Sequence, residues 1–137
     1  MKYNKLIPEI TVTSIEKSIE FYCNILGFEK KYVGEDKDFA FISFNGSQML
    51  LQESSNEAWK KAELEYPFGR GVNFSIEALS VEELVQKLEK KGHPLLSKLD
   101  EKWYKKDGTL HGEKHFMVMD PDGYLLRFME DLGSKPL

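Results

Sequence analysis

A single cysteine, Cys23, in 137 residues leaves no internal disulfide, so a hydrophobic core and hydrogen bonds have to hold the fold. Cys23 sits in a helix-like segment and reads as a small buried hydrophobe without a redox role. No apolar run approaches the roughly 18 residues of a bilayer span, and the opening MKYNKLIPEITVTSIE lacks a signal-peptide core. The expectation is a cytoplasmic protein with no membrane partner. Basic residues are not clustered: 19 Lys and Arg are interspersed with 23 Asp and Glu, for a net charge of −4, which argues against a nucleic-acid partner. There is no Gly-rich phosphate loop and no nucleophile elbow, and Cys23 has no evident base beside it.

What is present suits a packed domain. Apolar residues make up 41% and aromatics 12%, and the length fits one unit of roughly 100–150 residues. Leu6 to Thr13 alternates as a strand, with Ile10 and Val12 on one face and Glu9 and Thr11 on the other. Thr13 and Glu16 then have capping-box spacing ahead of a helix over Ser14 to Leu26, closed by Gly27. Three strand-like runs follow: Phe28 to Val33, Phe39 to Phe44 and Gln48 to Glu53. The last two are joined by the hairpin signal Asn45-Gly46. Ser54 to Pro67 reads as a connector, with a short helix an option near Asn56 to Lys61.

The same order of signals then returns. Gly71 to Ala78 alternates, Ser80 and Glu83 repeat the capping spacing before Val81, Leu84, Val85 and Leu88, and Gly92 ends that helix. Strands are expected around Leu95 to Leu99, Lys114 to Met119 and Tyr124 to Met129, with turns at Asp107-Gly108 and Asp120-Pro121-Asp122-Gly123. The acids of the last turn are expected to bond their own backbone. SIEKSIEFYCNILGF parallels SVEELVQKLEKKGHP, and FAFISFNGSQMLL parallels HFMVMDPDGYLLRF. The expected fold is α+β: two βαβββ modules, about 1–66 and 67–137 of a single domain 1–137, forming a curved mixed sheet around a ligand cleft.

VTSIEKSIEFYCNILGFE and MVMDPDGYLLRFMED carry a resemblance to the vicinal-oxygen-chelate superfamily, which includes glyoxalase I, extradiol dioxygenases, fosfomycin-resistance enzymes and the drug-sequestering bleomycin-resistance proteins. The resemblance spans nearly the whole chain. In the metal-dependent members it implies ligands on the first, fourth, fifth and eighth strands, usually His, Gln or Glu. Those positions fall on Ile7, on Gln52 (or Leu51 with a shorter turn), on Asn73 and on Arg127. Ile7 and Asn73 are not usual ligands, one amide cannot hold an ion, and Arg127 is a permanent cation without a lone pair to donate. No metal and no other cofactor is therefore expected. His111 and His115 lie about 13 Å apart if that stretch is a strand, too far to share an ion, and His93 is expected to be exposed.

Strand parity points Ile7, Glu9, Thr11, Asn73, Ser75, Leu125, Arg127 and Met129 toward the cleft. Glu9 and Arg127 either pair with each other or orient a ligand. Trp103 and Tyr104 lie in a Lys-rich strand edge or loop and are candidates to stack on a planar or cationic ligand. Trp59, Phe39 and Phe68 are assigned to the core or a subunit interface. The candidate ligand-binding set is thus Glu9, Thr11, Gln52, Asn73, Ser75, Trp103, Tyr104, Arg127 and Met129, with no catalytic residue. The resemblance further implies a homodimer whose cleft binds a bleomycin-like drug. The alternatives are a metal-dependent glyoxalase or dioxygenase-type enzyme with unusual ligands, and a module for an unrelated metabolite.

Overall fold

The computed structural model describes residues 2–54 and 62–137. The connector stretch Asn56 to Lys61 and Trp59 lie outside the described residues. The chain divides into two compact units, one formed by Met1–Arg70 with Asp120–Tyr124, the other by Gly71–Met119 with Leu125–Leu137. Among the described residues, no helix is long and apolar enough to cross a membrane.

In the first unit, strands β1 (Glu9–Val12), β2 (Glu29–Val33), β3 (Phe39–Phe44) and β4 (Ser47–Glu53) form a sheet in the order β1-β4-β3-β2. β1 runs parallel to β4, and the other pairs are antiparallel. β1 is shorter than the alternation suggests, so Ile7 precedes it. Pro8, which has no N–H, stands at its edge, although its carbonyl still accepts from Leu50 N–H at 2.9 Å. The Asn45-Gly46 turn takes positive φ at both residues (48° and 87°), the geometry that matches strand twist in a two-residue hairpin.

The helix of this unit begins as α1 (Ile15–Ile19) and continues as a π-helical segment, Glu20–Ile25, in which Leu26 N–H reaches Phe21 C=O at 3.1 Å. Its cap is Ser14, whose Oγ accepts from Lys17 N–H, and not Thr13. Ile15 N–H, a second orphan donor, is satisfied from outside by Glu53 Oε1 at 3.0 Å. Ile15, Phe21, Tyr22 and Leu26 bury against Ile10, Val12, Ala40, Ile42, Met49 and Leu51. Cys23, expected to be buried, is only partly so, and its burial still pushes the thiol pKa up.

The second unit repeats the plan with longer strands. β5 (Asn73–Glu77), β6 (Ser97–Lys106), β7 (Thr109–Met119) and β8 (Leu125–Pro136) take the order β5-β8-β7-β6, with β5 parallel to β8. Asp107-Gly108 forms a second hairpin turn with positive φ at both residues (51° and 79°). The separate short strands read in the sequence are therefore halves of one long hairpin. Helix α2 (Val81–Lys90) is capped by Ser80, as its spacing predicts, and Val81 N–H donates to Glu130 Oε1 at 3.1 Å. Glu130 thus does for α2 what Glu53 does for α1. Val81, Leu84 and Leu88 bury on Ile76, Phe116, Val118, Leu126 and Phe128, at roughly 1.5–3 kcal/mol for each large apolar side chain removed from water. His93 is not the exposed residue expected: its Nε2 lies 3.0 Å from Met119 C=O.

The Asp120–Tyr124 turn belongs with the first unit because of what its side chains hold. Asp120 Oδ1 accepts from Asp122 and Tyr124 N–H, the local bonding expected of such a turn. Its other oxygen accepts from Tyr22 Oη at 2.7 Å. Asp122 reaches further than the sequence suggests, accepting from Thr13 N–H and Thr13 Oγ1 at 3.1 and 2.6 Å. Tyr124 Oη donates to Thr11 C=O at 2.8 Å, and its ring meets Phe68 edge-on. Phe68 is therefore core. Burial pushes Tyr124 up to about 12 and Tyr22 well above its ordinary range.

Candidate functional site

The face of the second sheet turned away from α2 carries most of the candidate residues. Parallel pairing sets Asn73 beside Leu125, Ser75 beside Arg127 and Glu77 beside Met129. Antiparallel pairing on the other side of β8 sets Met119 beside Leu125, Met117 beside Arg127 and His115 beside Met129. Cross-strand partners project to the same face, so Asn73, Ser75, Arg127 and Met129 are brought together, with Met117 and Met119 added.

Arg127 meets its carboxylate within this sheet. The guanidinium donates to Glu113 on β7, where the sequence reading had Glu9 as the candidate partner. The side chains of Arg127 and Glu113 are 24% and 13% exposed, so the pair is weakly screened. His115 Nδ1 stands 3.8 Å from the same Glu113 oxygen, too far for a hydrogen bond, and is buried without a hydrogen-bond partner. Neither Glu113 nor His115 was among the residues the sequence picked out for this face. The alternation of β7 carried them: 113, 115, 117 and 119 share a parity.

Further along the same face, His111 lies between Asp131 (3.3 Å from Nε2) and Ser134 (3.3 Å from Nδ1), with the Tyr104 ring 5.8 Å away. Trp103 is on the opposite face from its neighbour Tyr104, because it pairs with Gly112 while Tyr104 pairs with His111. A Cβ at Gly112 would come within 2.6 Å of the indole, so the ring rests on bare backbone. Lys135 Nζ lies 3.9 Å from the Trp103 ring centroid, and the indole N–H donates to Glu101. Trp103 and Tyr104 therefore cannot line one wall together, and a cation of the chain itself already occupies the Trp103 ring.

In the first sheet, Glu9 and Thr11 pair with Leu50 and Gln52 on the face turned away from α1. Phe39 pairs with Gln52, and Phe41 with both Leu50 and Tyr32. Phe41 is covered there by Tyr32, stacked at 5.3 Å, and by Tyr3, edge-on at 5.4 Å. Phe39 meets Tyr32 edge-on at 6.1 Å.

The two units match position by position. Matching Glu53 to Glu130 and Ile15 to Val81 aligns Ile7 with Asn73 and Leu50 with Arg127. Leu50 lies two residues before Gln52 on the same face. In the first unit Ile7 and Leu50 carry no lone pair for a metal, and in the second Asn73 offers one neutral amide oxygen and Arg127 a fixed positive charge, so neither pair of side chains suits a divalent ion. Among the described residues, no three His, Cys, Asp or Glu side chains are grouped to hold a metal.

Two duplicated four-stranded mixed sheets, each carrying one helix, define a glyoxalase-type fold, and residues 6–128 match the Glyoxalase/Bleomycin resistance protein/Dioxygenase superfamily. The chain belongs to that superfamily. It is 32% identical, over 93% of its length and 97% of theirs, to proteins named bleomycin resistance protein from Geobacillus stearothermophilus and from Staphylococcus aureus strain MRSA252. A glyoxalase/bleomycin resistance protein/dioxygenase crystal structure from Alicyclobacillus acidocaldarius superposes with a TM-score of 0.64 at 17% identity, covering 94% of this chain and 92% of that one.

Proposed function

We propose that this chain is a small-molecule binding protein of the bleomycin-resistance type that works without a metal. It sequesters a bleomycin-like drug or a related bulky, polar aromatic molecule in the cleft of a cytoplasmic homodimer, and protection follows from binding alone. The observation that carries this reading is the 32% identity to bleomycin resistance proteins across nearly the full length of both chains. The residue types support the absence of a metal step: Ile7, Asn73 and Arg127 stand where the resemblance implies donors, and the single amide of Gln52 cannot hold an ion. Glu9, Thr11, Gln52, Asn73, Ser75, Tyr104, Arg127 and Met129 are the proposed ligand-facing set, and Trp103 joins it only if Lys135 is displaced from its ring.

Calorimetric titration with metal-free bleomycin tests the drug reading. Saturable binding at a fixed ratio per dimer is expected, with the dimer itself checked by sedimentation. Absence of saturable heat would remove the drug and leave a metabolite module. Stoichiometric metal retained through purification, with lyase, isomerase or dioxygenase turnover, would overturn the metal-free reading.

A further inference from the structure

Three of the five methionines, Met117, Met119 and Met129, share the far face of the second sheet with the Arg127–Glu113 pair. Methionine is unbranched and polarisable, so such a surface adapts to a flat ring and makes favourable sulfur–aromatic contacts. The polar pair set into it has a particular valence. A guanidinium carries five N–H donors, and among the described residues Arg127 donates to one oxygen of Glu113. Donors on Arg127 and an acceptor oxygen on Glu113 therefore remain side by side.

Local charge is balanced. Glu113 has Lys102 as its partner on β6 and Asp131 on β8, so Arg127 and Lys102 offset Glu113 and Asp131. In a half-buried setting an anion would gain Arg127 but face Glu113, and a cation would meet the reverse.

We propose that the Arg127–Glu113 pair recognises an uncharged group carrying an acceptor and an N–H donor side by side, a carboxamide being the simplest, on a planar aromatic system lying against Met117, Met119 and Met129. The carbonyl accepts from Arg127 and the amide N–H donates to Glu113. The inference rests on the reading of this face as a ligand wall and adds the chemistry of what it holds.

The test uses three probes on one ring: 2-naphthamide, 2-naphthoate and 2-naphthamidinium, titrated calorimetrically into the full chain. The amide is expected to bind about tenfold tighter than either charged analogue, since each of those leaves one member of the pair facing a like charge. Glu113→Gln, which leaves Arg127 in excess, is expected to turn the preference to naphthoate. With ¹³C-methyl methionine labelling, the signals of Met117, Met119 and Met129 should move on adding the amide. Met49, buried on the helix side of the first sheet, should not. If Glu113→Gln fails to fold, the wild-type ranking and the methyl shifts still decide. A charged probe binding as well as the amide, no saturable binding by any of the three, or shifts confined to Met49 would overturn the proposal. Bleomycin binding with the wrong probe ranking defeats only this inference; the right ranking without bleomycin binding defeats only the drug.

Discussion

The hydroxyl of Tyr22 donates to Oδ2 of Asp120 at 2.7 Å, joining a helix in the first quarter of the chain to a turn 98 residues later, with both side chains buried. Two backbone N–H groups on Oδ1 and the Tyr22 hydroxyl all favour the charged carboxylate, yet burial outweighs them and Asp120 is pushed up from 3.8 to about 6. The unfolded chain gives up this proton near its ordinary value and the folded chain holds it longer. The contribution is therefore full below the unfolded pKa and is lost as pH rises through the folded one. On the order of 3 kcal/mol should disappear between about pH 4 and pH 6.

Asp120→Asn isolates that slope. The amide oxygen can still accept from Asp122 and Tyr124 N–H, and the NH₂ can donate to the Tyr22 oxygen. Urea unfolding between pH 4 and pH 7 should show the wild type losing stability relative to the variant as pH rises, with the variant at least as stable at pH 7. Parallel curves would show that burial does not dominate at Asp120.

Tyr22→Phe removes the hydroxyl and leaves a buried Asp120 oxygen without its donor. A cost of about 1–3 kcal/mol is expected. Because that hydrogen bond holds the Asp120 pKa down, its loss should move the stability midpoint to higher pH. Chemical denaturation of Tyr22→Phe against wild type at several pH values measures both, and an unmoved midpoint would show that the bond contributes little to the charge.

These partners mark where the sequence stops being legible. Asn45-Gly46 and Asp107-Gly108 were readable as hairpins because two consecutive positive φ angles demand such residues. Ser80 was readable as a cap because no second hydroxyl competes beside it. At the first helix Thr13 and Ser14 compete, and the winner is decided by Asp122, which engages Thr13 from 109 residues away. Parity alone placed Asn73, Ser75, Arg127 and Met129 on one face. The choice of Glu113 for Arg127 depended on the register of β7 against β8, which shifts between Gly112 and Glu113 and leaves no local signal. Trp103 and Tyr104 were read as a strand edge or loop; once β6 runs through both, alternation puts them on opposite faces, and the bare backbone of Gly112 under the indole has no local signal.

Gly123 should tolerate no side chain. Its φ is +92°, and a Cβ would fall 2.6 Å from Pro67 Cβ and 2.7 Å from Pro67 Cα, where one neighbour is backbone and cannot turn aside. Gly123→Ala is expected to cost more than about 2 kcal/mol, combining left-handed strain with overpacking. Gly108→Ala is the matched control: its φ is +79° but nothing lies within 4 Å, so only the conformational part, about 1–2 kcal/mol, remains. Thermal unfolding of the two separates strain from collision, and equal losses would show that Pro67 gives way.

Arg127→Glu restores a carboxylate where metal-dependent relatives carry one, but it sets that carboxylate beside Glu113 in place of the cation that Glu113 now meets. Two like charges in a half-buried wall repel, and Glu113 loses the donor it now has. A cost of about 1–3 kcal/mol relative to wild type is expected at pH 7. Urea denaturation of Arg127→Glu against wild type at pH 7 measures that cost. Equal stability would show that the new carboxylate turns away from Glu113 into solvent, and that the Arg127–Glu113 pair contributes nothing to holding β7 on β8.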